Sequence, residues 1–94
     1  MRTRARVTPE GMAALSARTS DLGANGVSVT LADPLPVGQT SQLSFDLLVD
    51  GKSVPIKAHA RALYCIFSSG EFKVGFQFLN LELQAMTAIA RYLR

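Results

Sequence analysis

The dipeptide Asp50-Gly51 stands between two stretches that alternate apolar and polar residues, and this pairing constrains the fold more than any other feature of the chain. Before it, Leu43, Phe45, Leu47 and Val49 alternate with Gln42, Ser44 and Asp46. After it, Val54, Ile56, Ala58 and Ala60 alternate with Lys57, His59 and Arg61. A period of two puts each apolar set on one face of a strand, and Asp-Gly suits a type I′ turn, whose two central residues both need positive φ. The segment therefore reads as an antiparallel hairpin with one buried face.

The same period recurs on both sides of the hairpin. Val27, Val29 and Leu31 alternate with Ser28 and Thr30, and the prolines and glycine of "ADPLPVG" end that strand. Phe72, Val74, Phe76 and Phe78 alternate with Lys73, Gly75 and Gln77 after a turn at "SSGE". Between these, the phase slips at Ala62-Leu63, where "ALYCIF" continues apolar on the opposite parity; a bulge or a barrel corner accounts for such a slip. Residues 12–18 make a short strand leading into Asp21. The period then changes. Met86, Ile89, Ala90 and Leu93 follow helical spacing, with Asn80 as N-cap of a helix over 80–93. Strands in hairpin order without intervening helices exclude a parallel sheet. The expected fold is all-β with a C-terminal helix, a small antiparallel barrel of five to six strands over 12–78, closed so that no long edge is left.

With 94 residues the chain is one domain, and with one cysteine, Cys65, it holds no internal disulfide. One Cys and one His at unrelated positions make no metal site, and a reducing, cytoplasmic setting fits. No window approaches the ~18 consecutive apolar residues of a membrane-spanning helix, so no membrane insertion is expected. The net charge is +3, and removing Arg2, Arg4 and Arg6 leaves seven basic and seven acidic residues. The positive field thus belongs to the first six positions. A nucleic-acid binder of this size spreads its cations along a face and interleaves exposed aromatics, so nucleic-acid binding is not expected. No paired carboxylates, phosphate loop or nucleophile elbow is present. His59 sits on a polar strand face with no nucleophile beside it, and Cys65 lies among apolar neighbours as a small core residue, so the chain is not expected to be an enzyme.

Two short motifs remain. "RTRAR" holds Arg2 and Arg6 at Arg-x-x-x-Arg spacing, and "DLGANG", residues 21–26, lies between two strands. Read alone, the first is a solvated tail and the second a turn, in which Asp21 bonds its own backbone and Gly23 and Gly26 supply positive φ or let another backbone or a ligand come close.

Their order and spacing, together with "PLPVGQTSQLSFDL", "AHARALY" and "FKVGFQF", resemble the PilZ domain, and the resemblance covers nearly the whole chain. PilZ domains bind the bacterial second messenger cyclic di-GMP through Arg-x-x-x-Arg and a following Asp/Asn-x-Ser-x-x-Gly. Here Gly23 stands in place of the motif serine. The resemblance implies a single PilZ-like domain over 1–94, with residues 1–10 as a flexible arginine-rich arm that closes over the ligand. It implies cyclic di-GMP as ligand, with no other cofactor and no metal, and Arg2, Arg6, Asp21, Gly23, Asn25 and Gly26 as binding residues. An arginine fork bonds phosphate or the guanine O6/N7 edge while its plane stacks on a base, Asp21 accepts from guanine, and Gly26 permits the turn. The implied partner beyond the ligand is an effector protein or a fused effector domain. The missing serine hydroxyl keeps a second reading open, a ligand-free adaptor in motility, pilus or exopolysaccharide regulation.

Overall fold

In the computed structural model, which describes residues 3–94, the alternating stretches become six antiparallel strands: β1 (Arg4–Pro9), β2 (Leu15–Leu22), β3 (Gly26–Leu31), β4 (Thr40–Val49), β5 (Lys52–Ser68) and β6 (Glu71–Leu81). They close into a barrel in the order β1-β2-β3-β6-β5-β4, and helix α1 (Leu83–Tyr92) follows. The β4–β5 hairpin turns at Asp50-Gly51 with φ of 51° and 77°, as the type I′ reading requires. Its register sets Phe45 opposite Ile56 and Leu43 opposite Ala58, so both apolar sets face the barrel interior. Val7, Val29, Leu43, Leu47, Ile56 and Val74 are almost fully buried there.

Residues 4–9 depart from the expected flexible arm. Arg4–Pro9 is the strand that closes the barrel, paired to β2 on one side and to β4 on the other. The alternation that does this is short, with Val7 and Pro9 buried and Arg4 and Arg6 exposed, and the arginines obscured it as a strand signal. The barrel consequently runs from residue 4 to residue 81 rather than from 12 to 78. β2 begins later than expected, at Leu15, and carries Asp21 within it.

The phase slip in β5 is a bulge. The β5–β6 register shifts between Ala62 and Tyr64, leaving Leu63 exposed. At the C-terminus, Asn80 is not a cap, because it continues β6 opposite His59; the helix starts from Glu82, which makes no side-chain capping bond. The buried helical face is Ala85, Ala88 and Ile89, one position away from the expected stripe, while Met86, Ala90 and Leu93 are exposed. Small residues at 85 and 88 let the helix come close to β4 and β5, which a Met-centred face would prevent.

Candidate functional site

The outer face of the β1–β2 hairpin gathers three arginines. Arg4 stands directly opposite Arg18, and Arg6 follows opposite Ser16 on β2 and Ser44 on β4. All three arginines are exposed. Like charges directly across a ladder cost stability rather than add to it. Among the described residues these arginines form no ion pair; the two ion pairs found there are Lys73–Asp21 and Arg91–Asp50, both at 3.2 Å. Asp46 shares their concavity without pairing to them. The concavity, about 530 Å³, is lined by Arg4, Arg6, Ser16, Arg18, Ser44 and Asp46, with Ala5 and Phe45 at its floor. It is a net cationic surface of planar, bidentate donors, suited to phosphate oxygens.

The end of β2, past a register shift between Thr19 and Leu22, lines a second concavity of about 360 Å³. Thr19 is buried and anchors Thr3: the Thr3 N–H donates to Thr19 Oγ1 at 2.9 Å, and the Thr19 N–H donates to the Thr3 carbonyl at 2.8 Å. Asp21, Gly23, Gly26 and Ser28 form one wall of the second concavity, and Leu63, Tyr64 and Gly75 form the other.

Asp21 does not cap its own turn. Its backbone N–H donates to Ser28 Oγ at 3.1 Å, Ser28 Oγ–H donates back to Asp21 Oδ2 at 3.3 Å, and Lys73 Nζ donates to the same oxygen at 3.2 Å. The ammonium of Lys73, first by its hydrogen bond and then by its charge, holds the Asp21 carboxyl below its ordinary value of 3.8, with Ser28 adding to the effect. A depressed carboxyl contributes its stabilisation above the unfolded-state value and loses it as pH falls through the lower folded value, so this interaction fades only in acid below 3.8. Replacing Lys73 by Met should raise the Asp21 titration midpoint, read by NMR of the side-chain carboxyl carbon; an unmoved midpoint would assign the depression to Ser28 instead.

The two motif glycines serve different needs, and neither has positive φ. Gly26 lies against β6, where a Cβ would overlap the Phe76 carbonyl oxygen, so only glycine lets β3 approach β6 at this point. Gly23 donates its N–H to the Gly26 carbonyl at 2.9 Å, and a Cβ there would meet nothing closer than that oxygen at 3.9 Å. Position 23 therefore accepts a side chain. Asn25 is exposed, and its carbonyl accepts the Phe78 N–H at 2.8 Å, which ties the turn to β6. Arg2 lies outside the described residues. Of the other candidates, Asp21, Gly23 and Gly26 share one concavity, while Arg6 occupies the neighbouring one.

Four contributors escaped the sequence reading. In the sequence Arg18 is only the end of a short strand over 12–18, and Ser28 only a polar residue alternating with Val27 and Val29, although it is buried. Lys73 reaches Asp21 because β3 pairs with β6, a contact across more than forty residues of sequence. Tyr64 is placed by the β5 bulge, which brings its ring over Gly75; a Cβ at Gly75 would run into that ring. A separate, more apolar groove of about 520 Å³ between the β4–β5 hairpin and α1 holds none of these residues.

Comparison with known proteins agrees with this architecture. The PilZ domain family model matches residues 1–94. The solved structure of the Bacillus subtilis inhibitor of motility, MotI/DgrA, superposes with a TM-score of 0.86 at 19% identity, covering 98% of this chain and 45% of that one. The PilZ domain of CeSA from a cellulose-synthesizing bacterium superposes with a TM-score of 0.61 at 18% identity, covering 97% of this chain and 88% of that one. This chain thus spans less than half the length of the motility inhibitor, and no curated protein sequence matches it. Matched along its whole length and built as the same closed barrel with a C-terminal helix, the chain belongs to the PilZ domain family.

Proposed function

We propose that this domain is a regulatory receptor for cyclic di-GMP, with the ligand lying along β2 across both concavities. The observation that carries this reading is that β2 contributes Arg18 to an arginine surface without ion pairs among the described residues and Asp21 to the concavity that holds Gly23 and Gly26, in a PilZ-family barrel. Arg6 takes a phosphate or a guanine edge, and Arg4 and Arg18 add charge on the same face. Asp21 accepts from a guanine N–H, and the exposed face of Tyr64 offers a base a surface to stack on. Because Arg4–Pro9 is barrel strand and Thr3 is bonded to Thr19, residues 3–9 contribute to the site as a fixed strand rather than as a closing arm. The output is a change in how this face meets an effector or fused domain, without catalysis.

A mapping experiment tests the reading. On addition of cyclic di-GMP, backbone NMR shifts should move at Arg6, Arg18, Asp21, Gly23 and Tyr64 and stay still on the exposed face of α1. Shifts confined to α1 would reject it.

Two observations favour the adaptor as the second reading: Gly23 offers no hydroxyl, and the Asp21 carboxylate is already engaged by Lys73 and Ser28. Gly23→Ser separates the two. The backbone at 23 is unstrained and has room, so serine should leave the melting temperature unchanged. For a receptor, the new hydroxyl should tighten cyclic di-GMP by about two- to tenfold, one neutral hydrogen bond. For an adaptor, both proteins stay silent toward the ligand.

A further inference from the structure

Barrel closure leaves one edge open. β5 is paired to β4 only as far as Arg61, and the next residue, Ala62, takes its last partners on that side from the preceding loop, its N–H donating to the Gln39 carbonyl at 2.9 Å and its carbonyl accepting the Gly38 N–H at 2.7 Å. From Leu63 to Ser68 the strand continues, but it is hydrogen-bonded to β6 alone among the described residues. Natural sheets blunt such edges with charge, proline or a covering loop. This one carries none: residues 62–70 contain no charged residue and no proline, and Leu63, Ile66 and Phe67 are 53%, 54% and 64% exposed.

We infer that the Leu63–Ser68 edge of β5 pairs antiparallel with the same edge of a second copy of this chain, joining two barrels through a continuous sheet. Charge placement selects a second copy as the occupant. The uncharged stretch is bounded by Arg61 at one end and, just past the Ser69-Gly70 turn, by Glu71 at the other. A two-fold antiparallel pairing centred near Cys65-Ile66 lays apolar residues against apolar residues. It brings Arg61 of each copy to the turn bearing Glu71 of the other, so opposite charges meet at both ends. Such a contact is isologous and closes at two copies, which an uncapped edge met by unrelated strands does not. The pairing needs no ligand, although Leu63 and Tyr64 at one end of the edge also line the second concavity.

Sedimentation equilibrium of the unliganded protein up to about 500 µM tests it, since a six-residue strand contact lies at the small end of specific interfaces. The protein should show a monomer–dimer equilibrium. Ile66→Lys, at an exposed position, puts two ammonium groups beside the two-fold axis and should weaken the dimer by about tenfold or more, with circular dichroism confirming the fold. Arg61→Glu and Glu71→Arg should each weaken it, and the double exchange should restore it, which a general loss of structure would not produce. A chain that remains monomeric throughout the range overturns the inference. So does a dimer indifferent to Ile66→Lys and to the charge exchange, or an edge that pairs only with an extended segment of a different protein.

Discussion

Gly26→Ala should destabilise the domain by about 3 kcal/mol, the upper part of the range for forcing a methyl group into a filled space, and lower its melting temperature by roughly 12–24 °C. The added Cβ falls on the Phe76 carbonyl oxygen, which belongs to the β3–β6 ladder and cannot turn aside as a side chain could. Relief requires β3 to move away from β6 just where the Asn25 carbonyl holds the Phe78 N–H and the Gly26 carbonyl holds the Gly23 N–H. The cause is close approach of two backbones, because φ at Gly26 lies outside the left-handed region. Thermal unfolding followed by circular dichroism checks this. A melting temperature within a few degrees of the parent would contradict a close approach of β3 to β6 at Gly26. The glycine of the Asp-x-x-x-x-Gly motif is thus a structural requirement of the barrel, and its presence alone says little about ligand.

Arg6→Ala and Asp21→Ala carry the ligand information, and each should reduce cyclic di-GMP affinity by about ten- to a hundredfold, the loss of one charge-assisted hydrogen bond. Both side chains are exposed, so Arg6→Ala should cost no appreciable stability and Asp21→Ala only the small contribution of an exposed ion pair. Asp21→Ala also frees Lys73 from its partner, leaving a cation beside the turn. Binding that persists in Asp21→Ala while falling in Arg6→Ala would place the ligand wholly on the arginine surface. Salt separates that surface from a diffuse field: a bonded Arg6 keeps most of its effect at high ionic strength, whereas a purely long-range contribution fades within the Debye length.

How much could be read without coordinates depended on whether a feature was local. The β4–β5 hairpin was legible because turn chemistry and strand period lie within one stretch of about twenty residues, and the β5 bulge was legible as a break in parity at Ala62-Leu63. The PilZ resemblance and the barrel followed from several such stretches in order. The helix was found, but its inward face was not: two apolar stripes overlap on α1, and only the distance to β4 and β5 decides that Ala85 and Ala88 face in and Met86 out. Strand β1 reads as an arm in the sequence because its inward residues are few and its outward ones are arginines. Within the site, Asp21, Gly23 and Gly26 were identified by motif, yet the partners that set the charge state of Asp21 come from β3 and β6, and no local pattern links Lys73 to it. Tyr64 over Gly75 likewise requires the shifted β5–β6 register.

Calorimetric titration of the parent domain with cyclic di-GMP at moderate salt addresses the central claim most directly. The receptor account predicts a saturable heat that Gly23→Ser strengthens and Arg6→Ala weakens. A folded parent that shows no heat up to about millimolar ligand, in the range where even one weakened hydrogen bond would leave binding detectable, would contradict it.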